Sequence, residues 1–393
     1  MSRILKAAYF THLTLLLGSS ALAQETSVDA QDHSFAVETV VEGLSHPWGM
    51  AFISDTEFLV TERNTGTLRV GDVDGSLSDP IWEADDLFRY EGETERSQAG
   101  LFDVKLHPDF ADNGWAYLSY SRETDHGAAV TIIRGTIEQN DEGVAFSDVE
   151  DIFVMKQDDQ DSSGLHFGGR MAFDPEDQSL FLSIGERRNL ERAQDAADQA
   201  GALLRLTDAG DAHPDNPSFA DEAEEGEADP YIFSMGHRNI QALTIHPETN
   251  EIWAVDHGPE GGDTIQLIAA GNNHGWPFLA GGPDYSGAPL GVGLSMEGMT
   301  SPVHVFEDTV APSGVTFVSD GSNFENWAGD MIIGGLVTEG LVRVRLEDGE
   351  VVAQEEIELG YRVRDVHNGL DGNIWLVTDE ENGTILRLTP EGE

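Results

Sequence analysis

Residues 100–121 read GLFDVKLHPDFADNGWAYLSYS, two apolar runs on either side of a turn that contains His-Pro. This pattern is typical of a β-hairpin, because β-rich runs of this length flank residues that favour turns. Five further stretches repeat the pattern of two apolar runs around a polar turn. They are residues 49–62, 170–186, 241–258, 314–336 and 364–380.

The spacing of the six copies indicates a closed repeat architecture. The last apolar residues before the turns are Phe52, Leu106, Phe173, Ile245, Phe317 and Val366. A spacing of roughly 50 to 70 residues suits four-stranded blades with their loops. A β-sandwich gives no reason for six copies, and a β-helix repeats at shorter intervals. The sequence therefore predicts an all-β fold, a six-bladed β-propeller of four-stranded antiparallel blades. Helical periodicity is sparse, and residues 190–204 are its best candidate.

The first 23 residues predict a cleaved signal peptide. Arg3 and Lys6 precede a short apolar run, and Ala-Leu-Ala at 21–23 is a small-residue cleavage signature. The run is too short to span a bilayer comfortably, so we expect a periplasmic or secreted protein without membrane insertion. We expect residues 24–38 to form an exposed N-terminal segment and residues 39–393 to form a single propeller domain.

The composition narrows the classes of partner. The chain has 73 acidic and 21 basic residues and a net charge of −52, which makes duplex nucleic acid a poor partner. Self-repulsion of this size is screened by salt, so the charge indicates a solvated acidic shell adapted to high salt. The chain has no cysteine, which excludes disulfides and thiolate metal sites.

Polar residues precede the first strand of each copy. They include Gln98, His166, Arg170, Arg238, Asn239, Arg362 and Arg364. If each copy opens with the innermost strand of its blade, these residues converge at one mouth of the central channel. Arginines there would create a positive well suited to a ligand with several carboxylates.

Individual residues of this ring have alternative roles. Arg170 and Arg364 could instead form structural ion pairs with acidic neighbours such as Asp365. His166 is the best candidate for proton transfer at neutral pH, and His237 and His257 are alternatives.

Long stretches of the chain resemble a known family, the soluble aldose sugar dehydrogenases that depend on pyrroloquinoline quinone. This family is related to soluble quinoprotein glucose dehydrogenase. The resemblance extends from His46 to the C-terminus and rests on HPWGMAF, AGLFDVKLHPDFADNGWAYLSYS, HFGGRMAFDP, SMGHRNIQALTIHPETNEIWAVDHGPEGGD, APSGVTF and YRVRDV. It implies a six-bladed propeller, which agrees with the independent count of copies.

The resemblance also implies roles for site residues. His166 would be the general base that removes the hydroxyl proton at the anomeric carbon while hydride passes to the quinone, and Glu186 would support it. Arg238 and Asn239 would contact the cofactor near its reactive carbonyl. Further cofactor contacts are implied for Gln98, His257, Thr309, Arg362 and Arg364, the two arginines binding carboxylates. Calcium would be bound by the carbonyls of Gly258 and Pro259, and Asp263 resembles a ligand of a separate structural calcium.

Three positions depart from the family pattern. Glu186 stands where the family usually has Asp, and Val337 stands where it usually has a cofactor-binding Lys. The aromatic residue that often precedes the APS motif in the family is absent, and residues 306–308 read Phe-Glu-Asp in its place. Loss of the lysine removes a charge-assisted contact with the quinone.

The resemblance thus implies an enzyme that oxidises aldoses to lactones and passes electrons to an external acceptor. With the predicted signal peptide we expect it to be exported, as a monomer or homodimer. Two alternatives stay open at this stage. One is a carbohydrate-binding propeller that has lost the cofactor, which Val337 favours. The other is a calcium-dependent lactonase, since a propeller fold does not decide function.

Overall fold

Six antiparallel sheets make up most of the regular structure in the computed structural model, which describes residues 26–90, 97–140, 143–223 and 227–391. Five sheets have four strands and the sixth has a fifth strand at its outer edge. The predicted six-bladed β-propeller is confirmed. The expected signal peptide, residues 1–23, lies outside the described residues.

The strands follow one another blade by blade along the chain. The first two are β1 (Thr26–Ala30) and β2 (His33–Leu44). The first three complete blades contain β3 (Pro47–Phe52), β4 (Glu57–Glu62), β5 (Thr67–Asp72), β6 (Trp82–Glu83), β7 (Leu101–Leu106), β8 (Trp115–Thr124), β9 (Gly127–Asn140), β10 (Gly143–Val154), β11 (Met171–Phe173), β12 (Leu180–Ile184), β13 (Ala202–Leu206) and β14 (Ile232–Met235). The remaining strands are β15 (Ile240–Ile245), β16 (Ile252–Asp256), β17 (Thr264–Ile268), β18 (His304–Val305), β19 (Pro312–Phe317), β20 (Met331–Gly335), β21 (Gly340–Glu347), β22 (Glu350–Glu358), β23 (Val363–Asn368), β24 (Ile374–Thr378) and β25 (Gly383–Pro390).

Helical structure is short in the described residues. It consists of α1 (Phe110–Asn113) and three 3-10 segments, Gln157–Asp159, Leu190–Gln194 and Glu325–Trp327. The helix expected over residues 190–204 is therefore wrong, because one 3-10 turn is followed by a loop and then by β13. Leu203 and Leu204 at the end of this range are buried core positions of that strand. Within the described residues, no helix has the length and apolar character needed to cross a membrane.

Each repeat opens with the innermost strand of its blade, as the sequence predicts. The inner strands β3, β7, β11, β15, β19 and β23 each contact the next around a ring, and β23 contacts β3 to close it. The six predicted apolar positions before the turns all lie in these strands. The residues that precede the strands are therefore gathered at one end of the channel.

The ring is closed by pairing of the two ends of the chain. β2 pairs with β25 in the sheet order β1-β2-β25-β24-β23, so the last blade takes its outer strands from the start of the chain. The exposed segment expected over residues 24–38 differs from this arrangement, because Phe35 and Val37 are buried in the blade core. Their alternation with polar neighbours is the period of two that a half-buried strand requires.

Arg170 fills the centre of the channel and acts as a structural residue. Its guanidinium contacts the other five blades through the carbonyls of Gln241, Ser313 and Arg364, the carboxylates of Asp103 and Asp365, and the indole of Trp48. The distance from Nη1 to the Asp365 carboxylate is 3.0 Å. Of the two roles considered for Arg170, the structure supports the ion pair with Asp365.

Candidate active site at the axial mouth

The channel mouth above Arg170 brings together most of the residues that the sequence singled out. One cavity there is lined by Trp48, Gln98, Phe167, Asn239, His257 and Arg364, among others. An adjoining cavity is lined by Glu186, Arg238 and Pro259. Aromatic walls and a few convergent polar groups are the usual make-up of a small-molecule site.

His166 and Glu186 form a buried hydrogen-bonded pair. The distance from His166 Nδ1 to Glu186 Oε2 is 2.7 Å, so the longer side chain reaches the histidine where the family usually has Asp. Burial lowers the pKa of His166 to about 4. Burial alone would raise the pKa of Glu186, but the hydrogen bond with His166 lowers it overall. The pair is thus a neutral imidazole beside a carboxylate, and Nε2 is the nitrogen left for a substrate.

Gln98 holds the backbone of the same histidine. Its Oε1 accepts a hydrogen bond from the His166 N–H at 2.7 Å, and His166 itself has a left-handed φ of 51°. Gly168 follows with a φ of 68°, and a Cβ there would lie 2.5 Å from the Ser183 carbonyl oxygen. The HFGG stretch is therefore tightly constrained, which fixes the orientation of the imidazole.

Asp256 orients the Arg238–Asn239 turn. Its carboxylate accepts hydrogen bonds from the Arg238 N–H at 2.8 Å and from the Asn239 N–H at 2.6 Å. Burial raises the pKa of Asp256 to about 6. The Arg238 guanidinium donates to the His257 carbonyl at 3.3 Å and to the Tyr285 hydroxyl at 3.2 Å. Its charge is thereby held at the wall of the cavity that Glu186 and Pro259 also line.

Three arginines surround one buried carboxylate on the opposite wall. Nitrogens of Arg63, Arg362 and Arg364 all lie within 4.0 Å of Asp379 oxygens. Burial lowers the pKa of Arg364 to about 10, which leaves it charged at neutral pH. The group therefore has a surplus of positive charge. In addition, Arg364 Nε is buried without a hydrogen-bond partner among the described residues.

Asp263 shapes the turn that contains Gly258 and Pro259. One carboxylate oxygen accepts from the Gly258 N–H at 2.7 Å, and the other accepts from the amides of Val310 and Ala311 at 2.9 and 2.8 Å. Thr309 Oγ1 accepts from the N–H of Gly261, two residues beyond Pro259, at 3.0 Å. The structure thus brings Thr309 to this turn.

The described residues hold no cluster of three or more His, Cys, Asp or Glu side chains placed to bind a metal ion. An ion at this turn would depend on backbone carbonyl oxygens, as the sequence comparison implied for Gly258 and Pro259. Both oxygens of Asp263 are engaged with amides. The calcium roles of these three residues stay predictions.

The two alternative histidines have structural partners. His237 is fully buried between the Ser234 hydroxyl at 2.8 Å and the Gln266 side chain at 2.9 Å. The Nε2 atom of His257 contacts the Pro312 carbonyl, so this nitrogen is the donor. Burial lowers the pKa of both histidines. His166 therefore remains the best candidate for proton transfer.

Two residues of the site had no role assigned from the sequence. Gln241 links the arginines around Asp379 to the HFGG stretch, accepting from Arg364 Nη1 at 3.2 Å and donating to the Gly168 carbonyl at 2.9 Å. Its position three residues after Arg238 on an inner strand was a usable signal. Tyr285 lies in a long loop with no repeat pattern, and nothing in the sequence indicated that it reaches Arg238.

Comparison with known proteins gives a consistent family. The model of the glucose/sorbosone dehydrogenase family matches residues 44–387. Aldose sugar dehydrogenase YliI of Escherichia coli strain K12 is 34% identical over 358 residues, which cover 90% of this chain and 92% of the relative. Quinoprotein glucose dehydrogenase B of Acinetobacter calcoaceticus is 27% identical over 278 residues, 66% of this chain and 55% of that protein.

The solved structures agree with this assignment. The crystal structure of the soluble aldose sugar dehydrogenase from Escherichia coli, in the apo-form, has a TM-score of 0.82 and 32% identity to this chain. The match covers 91% of this chain and 100% of that one. On the matched length, the fold and the arrangement of the axial mouth, the chain belongs to the glucose/sorbosone dehydrogenase family.

Proposed function

We propose that this protein oxidises aldose sugars at the anomeric carbon to lactones, with pyrroloquinoline quinone as cofactor and an external electron acceptor. The observation that supports it best is the neutral His166, held by Glu186 beside the Arg238–Asn239 turn at the same mouth as the arginines around Asp379. Its neighbour Phe167 lines one cavity of that mouth together with Arg364, and Glu186 lines the other together with Arg238. Membership of a sugar dehydrogenase family agrees with it.

The described side chains fit a flat cofactor that bears several carboxylates. Arg63, Arg362 and Arg364 share the single carboxylate of Asp379, so positive charge is left for a ligand. The unpartnered Arg364 Nε gives one specific donor for such a carboxylate. Trp48 and Phe167 supply aromatic surface on the same wall.

Arg362 lies close to Val337, the position where the family usually has a lysine. Its Nη1 donates to the Leu336 carbonyl at 2.7 Å, which places a guanidinium next to Val337 in the chain. We infer that this cation takes over part of the role that lysine has elsewhere in the family. This argument favours a retained cofactor over a propeller that only binds carbohydrate.

His166 would take the proton of the hydroxyl at the anomeric carbon through Nε2. The Glu186 carboxylate would hold the imidazole in the required tautomer and stabilise the cation that forms. Arg238 would stabilise negative charge that develops on an oxygen at the edge of the cavity. Loss of the hydroxyl proton and the hydrogen at that carbon converts the hemiacetal to a lactone, and bound pyrroloquinoline quinone supplies the two-electron acceptor.

Calcium is part of the proposal, with the carbonyls of Gly258 and Pro259 as its ligands at the cofactor and Asp263 at a separate structural ion. Calcium prefers oxygen ligands, including carbonyls, so the donor type fits. Export through the N-terminal signal, to the periplasm or medium, is likewise proposed from the sequence alone.

A reconstitution assay tests the proposal. Purified protein is loaded with Ca²⁺ and pyrroloquinoline quinone, and reduction of an artificial dye is followed with a panel of aldoses. We expect dye reduction with at least one aldose and none with its methyl glycoside, whose anomeric hydroxyl is blocked. Failure of the quinone to bind, together with no activity on any aldose, would reject the proposal. Hydrolysis of lactones without quinone would support the lactonase alternative instead.

A further inference from the structure

Nearly every arginine of the described residues has a carboxylate partner in this acidic chain. The exceptions are Arg89, Arg188 and Arg238, none of which lies within 4.0 Å of an Asp or Glu oxygen of the described residues. Arg89 is bound to the Asn64 and Thr65 carbonyls. Arg188 and Arg238, in contrast, line the same cavity. Arg188 is exposed at the rim of this cavity and Arg238 is buried in its wall, so the cavity presents two guanidinium groups to a negatively charged ligand.

The cavity adjoins the proposed base and has the size of a small-molecule site. Its volume is about 320 Å³, and Glu186, the partner of His166, forms part of its wall. Trp276 and Tyr285 add aromatic surface. The Trp276 indole N–H is buried and has no hydrogen-bond partner among the described residues.

An unusual backbone conformation places Arg188 at this cavity. Arg187 and Arg188 both have left-handed φ values, 57° and 63°, which residues other than glycine rarely adopt. The Arg188 N–H donates to Glu186 Oε2 at 2.5 Å, and Arg187 is buried against the Phe167 ring. The Arg188 guanidinium then lies 5.5 Å from the centre of the Tyr285 ring. The turn thus secures Glu186 and leaves the charge of Arg188 for a ligand.

Neither of the two carboxylates at this cavity, Glu186 and Asp284, forms an ion pair with an arginine side chain there. Glu186 is engaged with His166 and the Arg188 backbone. Asp284 accepts hydrogen bonds from the Ser286 N–H and hydroxyl at 2.7 and 2.5 Å, and it is not within ion-pair distance of Arg188. Arg238 is needed at the cofactor edge in the proposed function, which leaves Arg188 for the substrate.

We propose that this cavity binds the aldose and that Arg188 selects aldoses with an anionic group away from the anomeric carbon. A carboxylate, as in a uronic acid, and a phosphate ester share the chemistry that a guanidinium recognises. The inference rests on the proposed function and adds the substrate class to it. A neutral sugar would fill the same cavity and leave the Arg188 charge without a partner.

The first test compares substrates in the quinone- and calcium-loaded protein. We expect kcat/KM for D-glucuronate or D-glucose 6-phosphate to exceed that for D-glucose, and Arg188→Gln to lower the preferred anionic value about 10- to 100-fold. The value for D-glucose should fall less, because that sugar makes no ion pair with Arg188, so the ratio of the anionic to the neutral value is the readout. Arg345→Gln, which removes one positive charge from a distant surface site, should leave the preference unchanged. The two anions distinguish a carboxylate site from a phosphate site.

The second test measures the binding of sugars that are not turned over. Calorimetry with methyl β-D-glucuronide and methyl β-D-glucoside compares a charged and a neutral ligand that cannot be oxidised. We expect the charged glycoside to bind more tightly, and the difference to vanish in Arg188→Gln and to shrink as NaCl is raised. This result holds even if no sugar is oxidised, so it separates this inference from the proposed function.

Two outcomes would overturn the inference. One is oxidation of D-glucose with no preference for either anionic sugar and no effect of Arg188→Gln on the ratio. The other is a variant whose quinone affinity falls while its ratio of anionic to neutral substrate is unchanged, because Arg188 would then serve the cofactor.

Discussion

His166 illustrates how the surroundings of one residue set its protonation state. Its backbone is fixed by Gln98, its ring by Glu186, and its burial keeps it neutral at physiological pH. A motif comparison predicted the residue and its partner. The sequence did not reveal that Glu would reach as far as Asp does, because that depends on the distance between two loops.

The pH dependence of the proposed activity follows from this environment. Burial lowers the pKa of His166 to about 4, so the neutral base is present above that value and is lost as the pH falls through it. We expect kcat/KM of the loaded protein to show no histidine titration between about pH 5 and 8. Steady-state rates over that range measure this, and circular dichroism at each pH checks that the protein stays folded. An acid limb near the ordinary histidine value would contradict the assignment.

Glu186→Gln should reduce activity and shift the acid limb of the pH–rate profile to lower pH. The carboxylate favours the protonated imidazole through its hydrogen bond and its charge, so its removal lowers the pKa of His166 further. We expect kcat to fall by about 10²- to 10⁴-fold, with quinone binding largely retained. Glu260→Gln, which changes an exposed carboxylate in the turn that contains Gly258 and Pro259, is the matched control. A variant with unchanged kcat would show that Glu186 has only a structural role.

Arg170 is expected to contribute to stability through its contacts with all the other blades. In Arg170→Met, three carbonyls lose a donor and Asp365 loses its buried partner. Breaking a buried ion pair in this way costs about 3–5 kcal/mol. Urea denaturation measures the change in unfolding free energy, and Arg345→Met at a half-exposed pair should cost about 1 kcal/mol or less. Equal losses in the two variants would contradict the role given to Arg170.

At the scale of elements, the inner strands were predictable and the closing strand was not. Hairpins with a short turn carry a local signal, which is why residues 100–121 and their copies located six inner strands. β2 pairs with β25 across almost the whole length of the chain, and no local pattern encodes that partner. The loop around Tyr285 was missed for a related reason, since its contacts are with distant residues.

The closure of the ring can be tested at Phe35. Its side chain is fully buried and packs edge-on against Phe324 and Trp327, with ring centres 5.8 Å apart in both pairs. Phe35→Ala should destabilise the fold by about 3–5 kcal/mol. The control Leu370→Ala, at a side chain that is 62% exposed, should stay within about 0.5 kcal/mol. Chemical denaturation compares them, and a small effect of Phe35→Ala would mean that β2 contributes little to closure.

At the scale of the molecule, a net charge of −52 sets the conditions for stability. Repulsion among carboxylates destabilises the compact state, and salt shortens the screening length from about 10 Å at 0.1 M to about 3 Å at 1 M. We therefore expect the melting temperature to rise from low to molar NaCl. Calorimetry measures it, with sucrose at matched osmolality as the uncharged control. A melting temperature that is independent of NaCl would contradict adaptation to high salt.

The acidic composition of the whole molecule is the reason that a site with positive charge is informative. Basic residues are few beside the acidic ones, and most arginines of the described residues have a carboxylate partner, so the surplus of positive charge at Asp379 and the lack of an ion pair at Arg188 and Arg238 are informative. The sequence predicted that the polar residues gather at one mouth of the channel, because the repeats indicate that each polar segment precedes the inner strand of its blade. The surplus of positive charge could be recognised only from the structure, because the pairing partner of each arginine lies in another part of the chain.

The central claim is that the axial site holds a quinone that accepts electrons from the anomeric carbon of an aldose. The most direct measurement is the absorption of the quinone- and calcium-loaded protein during anaerobic mixing with an aldose, with and without deuterium at that carbon. The account predicts a change to the spectrum of the reduced cofactor, slower with deuterium and absent with the methyl glycoside. A spectrum that stays the same with every aldose, or a quinone that does not bind, would contradict it.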